Sequence, residues 1–446
     1  MAYLGWGLGD AEEDGSMTAF LFNARLAVSL PARALVRMRE SGQISRPAVR
    51  VNARRMRQTQ GQGHRMKIGI VKERREHERR CAASPDTVKK YIGLGAKVAI
   101  ETGAGISAAI TDDAFRNAGA EIVGDAAAAL GDADLVLKVR RPMSGAEGND
   151  ELAAIKRGAV LVSILEPYNN KDAIADYANR GIDAMAMELI PRITRAQAMD
   201  VLSSQANLSG YRAVIDAAAE YGHAYPMMMT AAGTVAPARI LVMGAGVAGL
   251  QAIATARRLG AIVSATDVRP AAKEQVNSLG ATFVAVEDDE FKQAETTAGY
   301  AKPMSAEYQA KQAALIGETI KKQDIVITTA LIPGRKAPEL VSEAMVQSMK
   351  PGSVIVDLAV EQGGNCPLSE LNKVVEKHGV KIIGYGNVPS RIAVDATTLY
   401  AKNLLNFVQL LIDKETKGLK VNWEDEIVKG VALTRDGQVI HPNFKS

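Results

Sequence analysis

A glycine triplet between a strand pattern and a helix pattern is the feature that most constrains the fold. The segment GAGVAG, residues 244–249, directly follows the apolar run RILVM and begins the helical stretch VAGLQAIATARRL. The next apolar run ends in Asp267, eighteen residues after Gly249. In this context the first glycine allows a tight turn, the second lets a backbone approach a pyrophosphate, and the third lets helix and strand pack closely. The pattern predicts a dinucleotide site.

The acidic residue after the second strand predicts which dinucleotide is bound. A carboxylate at Asp267 accepts hydrogen bonds from ribose hydroxyls and repels a 2′-phosphate, which favours NAD over NADP, and Arg269 softens that preference. The positive helix end attracts the phosphates. The alternative, that the glycines serve only close packing, stays open. The expected contacts to NAD are Gly244, Gly246, Val247, Ala248, Gly249, Asp267, Val268 and Arg269.

Short β-branched runs alternate with helical stretches from Met66 onward, which is typical of parallel sheets. Expected strands of a first unit are residues 67–71, 97–101, 121–123, 134–139 and 159–164. Expected strands of a second unit are residues 239–244, 261–267, 281–286, 324–330, 353–359 and 381–386. The pattern predicts an α/β protein with two Rossmann-like, doubly wound domains.

Two longer helical patterns complete the predicted organisation. One runs from Arg195 to about Tyr221, and the other from Thr397 to Ile412 before a short hairpin-like tail. We expect the second helix to return to the first unit, which makes the first domain discontinuous. The predicted domains are residues 66–200 with 389–446, and an NAD-binding domain at residues 201–388.

The first 65 residues differ in kind from the rest. They hold ten arginines, no lysine and five acidic residues, whereas the remaining 381 residues hold 44 basic and 45 acidic residues. The overall charge of +4 therefore belongs to this extension and does not indicate a nucleic-acid partner. A targeting peptide, a disordered basic arm and a translation start upstream of the natural one stay open, and we favour Met66 as the functional start.

Other classes of protein are disfavoured by residue usage. Cys81 and Cys366 are the only cysteines, they are far apart, and the histidines are not clustered, so neither a disulfide framework nor a metal site is expected. The most apolar stretch, Ile240 to Ala256, contains three glycines and coincides with the strand–turn–helix pattern. We therefore expect no membrane span in this chain.

Three segments resemble one known family. They are PRITRAQAMDVLSSQANLSGYRAVIDAA, PMMMTAAGTVAPARILVMGAGVAGLQAIATARRLGA and IVDLAVEQGGNCPLSE, and the resemblance extends from about Met66 to near the end of the chain. The family is the NAD(H)-binding alpha subunit (domain I) of proton-translocating, Re/Si-specific NAD(P) transhydrogenase. Alanine dehydrogenase shares its fold and is the alternative.

The resemblance implies roles for particular residues. Arg192 and Asp200 would position the nicotinamide, Ser203 would add a hydrogen bond, and Gln197 would project towards NADP(H) on a partner subunit. Tyr300 would belong to a mobile loop that closes over the nucleotide. Taken without the family, Arg192 and Asp200 are equally compatible with a helix-start ion pair, and Tyr300 with a surface tyrosine.

The resemblance also implies partners and a location. These are a homodimer, an NADP(H)-binding beta subunit, a membrane-spanning subunit, and a peripheral position on the cytoplasmic or matrix face of an inner membrane. Hydride would pass from NADH to NADP⁺, driven by proton flow.

The alternatives differ in the acid–base groups that they need. Lys138 and Arg80 match positions that hold substrate in alanine dehydrogenase. However, the segment LVSILEPYNN has no histidine where that enzyme has its proton-transfer histidine, and Glu361 replaces an aspartate of that enzyme. Because direct hydride transfer needs no acid–base group, the transhydrogenase interpretation is favoured. An NAD-sensing interaction module is a third hypothesis.

Overall fold

The computed structural model describes residues 65–293, 304–332 and 334–445 of the chain. The expectations for the N-terminal extension therefore lie almost wholly outside the described residues, and so does the expectation for Tyr300. The described residues form two parallel sheets with helices on their faces. This arrangement confirms the predicted α/β class with Rossmann-like domains.

The first sheet is parallel throughout and has the order β3-β2-β1-β4-β5-β6. Its strands are almost continuously apolar because helices cover both faces. The expected strands are present, and a sixth, DAMA, was not predicted because it lacks β-branched residues. The elements are β1 Lys67–Ile70, α1 Pro85–Gly93, β2 Lys97–Glu101, α2 Asp112–Asn117, β3 Glu121–Val123, α3 Ala126–Leu130, β4 Leu135–Arg140, β5 Val160–Ile164, α4 Lys171–Asn179 and β6 Asp183–Ala186.

The segment between the sheets differs from the single helix expected from Arg195. Residues Thr194–Met199 form a 3₁₀ helix, and the α-helix α5 begins only at Val201 and extends to Glu220. The cause is Asp200, whose carboxylate accepts the Ser203 N–H at 2.9 Å and caps α5. A hairpin of β7 Met228–Thr230 and β8 Gly233–Val235 follows.

The second sheet has the order β11-β10-β9-β12-β13-β15-β14, and the strand order reverses between β9 and β12. All its pairs are parallel except β14 with β15. The six expected strands are present, whereas β14 was not predicted. The elements are β9 Arg239–Met243, α6 Val247–Arg258, β10 Ile262–Thr266, α7 Ala272–Ser278, β11 Thr282–Phe283, α8 Asp289–Lys292, α9 Ala306–Ile320, β12 Ile325–Thr328, α10 Glu343–Ser348, β13 Val354–Asp357, β14 Val374–Lys377 and β15 Val380–Ile383.

The chain ends with α11 Ala393–Val408, α12 Glu426–Val431 and a hairpin of β16 Thr434–Arg435 and β17 Gln438–Val439. Helix α11 begins four residues earlier than expected. Its buried residues share one core cluster with the first sheet, and the Tyr400 hydroxyl donates to the Lys138 carbonyl at 2.9 Å. The C-terminal helix thus packs on the first unit, whereas the exact domain boundaries stay a prediction.

Among the described residues, no helix combines the length and apolarity that crossing a bilayer requires.

Candidate functional site

The glycine turn after β9 lies where the strand order of the second sheet reverses, which is the usual ligand position in such folds. Gly244 has a φ of +104°, and a Cβ there would lie 2.4 Å from Thr329 Oγ1. A Cβ on Gly249 would lie 1.8 Å from the Gly244 carbonyl oxygen. Both glycines are therefore required by the packing of the protein itself.

Gly246 is different. Its φ of −77° suits any residue, and no heavy atom lies within 4 Å of an added Cβ. Packing therefore does not explain this glycine, whereas the approach of a ligand to the backbone does. Gly246 immediately precedes α6, whose N-terminal N–H groups and helix dipole favour a phosphate.

Asp267 lies at the end of β10 and is tied to the glycine turn. Its Oδ2 accepts the Ala245 N–H at 2.7 Å, and its Oδ1 accepts the Arg269 N–H at 2.9 Å. The Arg269 side chain donates to both carboxylate oxygens, at 2.9 and 3.0 Å. The carboxylate is therefore held in one position, and the Arg269 guanidinium balances its negative charge. This charge balance is consistent with the expectation that Arg269 softens the preference for NAD.

The loop after β12 lies against the glycine turn and was missed from the sequence. Thr329 donates through Oγ1 to the Gly244 carbonyl at 3.0 Å, and its N–H donates to Met243. The sequence did contain a signal for this loop, because Thr329 is a polar residue at the carboxyl end of β12, the strand beside β9. The next residues, Leu331 and Ile332, are 48% and 43% exposed, as is Val268 at 55%, which leaves apolar surface beside the turn.

The residues expected over the nicotinamide lie at the start of α5. Asp200 Oδ2 accepts a hydrogen bond from the Ser203 hydroxyl at 2.6 Å, in addition to its cap. Gln197 and Arg192 are exposed, and Gln197 lies within the 3₁₀ helix. Asp200 and Ser203 thus form one hydrogen-bonded unit.

Helix α5 connects this group to the glycine turn. A Cβ on Gly210 would lie 2.0 Å from the Ala248 carbonyl oxygen, so α5 crosses directly over the first turn of α6. Asn207 and Gln251 join the same two helices through a side-chain hydrogen bond of 3.3 Å. The helix that Asp200 caps and that carries Ser203 therefore packs directly on the glycine turn.

The two cations shared with alanine dehydrogenase are both buried and ion-paired. Lys138 lies 3.3 Å from Glu73 and 3.1 Å from Glu151. Burial raises the pKa of Glu73, while Lys138 opposes that rise. Each of these groups is therefore engaged by the protein itself.

Arg80 is fixed in the same way. Its guanidinium donates to both carboxylate oxygens of Glu78 at 2.8 and 2.7 Å, to Gln205 at 2.9 Å and to Asn387 at 3.1 Å. The Asn387 N–H in turn donates to Glu361 at 3.0 Å. Arg80 therefore links the loop after β1 to α5 and to the chain that returns to the first unit.

Three of the described histidines have partners other than Lys138 and the Arg80 side chain. His77 is exposed and lies 3.3 Å from Glu76, while its carbonyl accepts the Asn387 amide. His378 lies 3.0 Å from Glu343, and His441 lies 3.3 Å from the Gly430 carbonyl oxygen.

Comparison with known proteins assigns a family. Residues 69–209 match the model described as "Alanine dehydrogenase/PNT, N-terminal domain", and residues 213–442 match "Alanine dehydrogenase/PNT, C-terminal domain". A relative in Rhodospirillum rubrum, named as the first section of an NAD(P) transhydrogenase alpha subunit, is 61% identical over 377 residues. These residues are 84% of this chain and 98% of that protein.

Two further relatives frame the assignment. The crystal structure of a transhydrogenase from Sinorhizobium meliloti has 56% identity and a TM-score of 0.76, covering 84% of this chain and 100% of that one. Alanine dehydrogenase of Methanococcus maripaludis is 31% identical over 385 residues, which are 84% of this chain and 95% of that protein. These matches confirm the resemblance predicted from the sequence: the chain belongs to the alanine dehydrogenase/PNT family.

Proposed function

We propose that this chain is the NAD(H)-binding alpha component of an NAD(P) transhydrogenase. The observation that carries the proposal is 61% identity over almost the whole length of a transhydrogenase alpha-subunit chain, against 31% for an alanine dehydrogenase. The space beside Gly246, where no heavy atom lies within 4 Å of an added Cβ, supports a nucleotide at the glycine turn.

The residues of the turn fit a dinucleotide. The N-terminal N–H groups of α6, at Val247 and Ala248, would hold the pyrophosphate, with Gly246 leaving room for it. Asp267, whose carboxylate is oriented by two backbone N–H groups, would accept from the adenosine ribose in place of the Arg269 side chain. Val268 would contact the adenosine half through its exposed side chain.

The start of α5 would orient the reacting ring. The Ser203 hydroxyl donates to Asp200 Oδ2 at 2.6 Å and so fixes the orientation of the carboxylate. The carboxylate could then accept a hydrogen bond from the nicotinamide carboxamide. Arg192 would position the same group, and Gln197, exposed on the 3₁₀ helix, would contact NADP(H) on a partner. The two nicotinamides would supply the hydride chemistry when both nucleotides are bound, and the transfer would need no side chain of this chain as an acid or base. The protein supplies alignment and exclusion of water.

Tyr300, which lies outside the described residues, would cover the bound nucleotide. In the described chain on either side, α8 ends at Lys292 and α9 begins at Ala306. We propose no geometry for it.

The remaining machinery would lie on partner chains. We propose an NADP(H)-binding beta subunit and a membrane-spanning subunit, with Re/Si-specific transfer coupled to proton translocation. The chain would sit peripherally on the cytoplasmic or matrix face of an inner membrane. The name of the Rhodospirillum rubrum relative, which makes it only the first section of an alpha subunit, supports such a divided assembly.

We further propose a homodimer of this chain. The hairpin that precedes β9 supports it, because Met227, Met228 and Met229 are 60%, 42% and 79% exposed, and contiguous exposed apolar residues mark interaction surfaces. Replacing the three by serine should convert the dimer to a monomer in sedimentation. A dimer that persists would exclude the hairpin as its contact.

The experiment that tests the function is reconstitution. The chain is mixed with a purified NADP(H)-binding subunit, and reduction of an NAD⁺ analogue by NADPH is followed by absorbance, with each protein alone as a control. We expect turnover only in the mixture. Absence of turnover in a complex that demonstrably forms would refute the proposal.

A further inference from the structure

A buried carboxylate organises the loop that follows β13. Asp357 Oδ1 accepts the N–H groups of Ala359 and Asn365 at 2.9 and 3.1 Å. Its Oδ2 accepts the Cys366 N–H at 3.1 Å and the Ser369 hydroxyl at 2.8 Å. Asp357 is fully buried, so four donors hold this loop in one shape. The loop thereby presents the Asn365 side chain in a fixed direction.

Asn365 uses that direction to hold the loop after β12. Its Nδ2 donates to the Ala330 and Pro338 carbonyls at 2.9 and 2.8 Å, and its Oδ1 accepts the Ala330 N–H at 3.1 Å. Its own carbonyl accepts the N–H groups of Leu340 and Val341 at 2.8 and 3.1 Å. Asn365 is fully buried, and it fastens both ends of the segment between Ala330 and Val341.

The residue before that segment hydrogen-bonds the glycine turn, so the start of the segment lies beside the proposed nucleotide site. Ala330 follows Thr329, whose hydroxyl donates to Gly244 in the glycine turn. Leu331 and Ile332 follow directly and are largely exposed at the carboxyl end of β12. A shift of Ala330 would therefore move the apolar residues beside the turn and the hydroxyl that braces it.

We propose that Asn365 is a positioning residue for the dinucleotide, acting through its paired hydrogen bonds to Ala330. The inference rests on the proposed NAD(H) site and adds a residue that does not itself line it. Only a side-chain amide supplies the required donors and acceptor together. A carboxylate cannot donate, and an aliphatic side chain leaves the Ala330 and Pro338 groups without partners.

Calorimetric titration of the chain with NADH tests the proposal, using Asn365→Ala and a matched control. The control is Gln323→Ala, because Gln323 is also a buried amide but precedes β12 at the opposite edge of the sheet, where it donates to Thr319. We expect Asn365→Ala to raise the dissociation constant at least tenfold with unchanged stoichiometry. Gln323→Ala should stay within twofold of the unsubstituted chain.

A second variant keeps the test decisive if Asn365→Ala does not fold. The double substitution Leu331→Ala with Ile332→Ala shortens two side chains outside the buried core, and we expect it to raise the dissociation constant at least fivefold. An unchanged dissociation constant in this double variant overturns the inference.

The remaining outcomes separate the inference from the proposed function. If Asn365→Ala lowers the number of NADH molecules bound per chain but leaves the dissociation constant unchanged, part of the variant is unfolded and the folded part binds normally. This result also overturns the inference. If the unsubstituted chain binds no NADH, the proposed function fails, and the inference fails with it. If that chain binds NADH and the Asn365→Ala chain binds it equally well, the inference alone fails.

Discussion

The ideal Cβ position of Gly210 lies 2.0 Å from the carbonyl oxygen of Ala248, so α5 and α6 cross at a distance that only glycine allows. Asp200 caps α5 ten residues earlier, which is about 15 Å of helix. Ala248 belongs to the glycine turn that begins α6. The crossing thus sets the spacing between the two halves of the proposed NAD(H) site.

Gly210→Ala should disturb this crossing. The added methyl group must push the helices apart, and we expect a loss of about 1–3 kcal/mol in the free energy of unfolding. NADH binding should weaken as well. The control is Gly317→Ala in α9, where no atom lies within 4 Å of the new methyl group. That change should stabilise the chain by up to about 1 kcal/mol. Equal effects of the two substitutions in denaturant titrations would contradict the proposed crossing.

Gly246→Ala distinguishes between the two explanations for the glycines, which are a ligand site and close packing. Because the methyl group meets no protein atom, the free energy of unfolding should change by less than about 0.5 kcal/mol. The methyl group would occupy the space proposed for the pyrophosphate, so the NADH dissociation constant should rise at least tenfold. Unchanged NADH affinity would mean that the glycines serve packing alone.

Asp267→Asn should alter the choice of nucleotide. The amide keeps the size of the side chain but loses its charge, and hydrogen bonds to charged groups contribute about 1.5–3 kcal/mol. We expect NADH affinity to fall roughly ten- to a hundredfold, as that energy implies. NADPH affinity should rise because the 2′-phosphate no longer faces a carboxylate. Parallel titrations with both nucleotides check this, and an unaltered ratio of the two affinities would exclude the role given to Asp267.

Gln197→Asn should affect transfer more than binding. Shortening the side chain by one methylene withdraws it from the partner nucleotide, while the exposed position leaves the fold intact. In the reconstituted mixture we expect a slower single-turnover rate with nearly normal NADH affinity. The opposite result, weak binding with a normal rate, would assign Gln197 to the NADH site itself.

Glu78 should control stability in acid. Burial opposes the charge of its carboxylate, but the Arg80 guanidinium outweighs burial and lowers the pKa of Glu78 from 4.5 to about 2. Because the pKa is lower in the folded chain, the stabilisation is complete above pH 4.5 and is lost as the pH falls towards 2.

Glu78→Gln leaves the buried Arg80 without a counter-charge. We expect it to lower the free energy of unfolding by about 3–5 kcal/mol at pH 7 and to remove the acid-dependent loss. Glu318→Gln, at an exposed pair with Lys321, is the control and should change the pH profile of unfolding far less, because solvent screens that pair. An unaltered profile in Glu78→Gln would contradict the assignment.

Local patterns were sufficient for the βαβ units and the glycine turn. The runs RILVM and IVSAT are mainly apolar, and Gly244, Gly246 and Gly249 have a spacing that leaves few alternatives. The start of α5 was misplaced because Asp200 fits a helix interior by periodicity, whereas its carboxylate caps the helix. Strand β14, with exposed Val374, carries too little apolar pattern to be recognised.

Contacts between distant segments were not predictable. The Asn365 amide and the Ala330 backbone are 35 residues apart, and no periodicity relates them. In the sequence Gly210 is one residue of a predicted helix, and only the folded structure shows that α6 crosses α5 there and requires a glycine. The folded chain brings such residues together, and a single sequence contains no signal for their pairing.

Direct hydride transfer is the central claim, and an isotope measurement tests it most directly. NADH carrying deuterium at the transferred C4 position is mixed in ordinary water with NADP⁺, this chain and an NADP(H)-binding subunit. The account predicts that the NADPH formed retains the deuterium completely, because no acid–base group exchanges it with solvent. Deuterium appearing in water, or NADPH formed without this chain, would contradict the account.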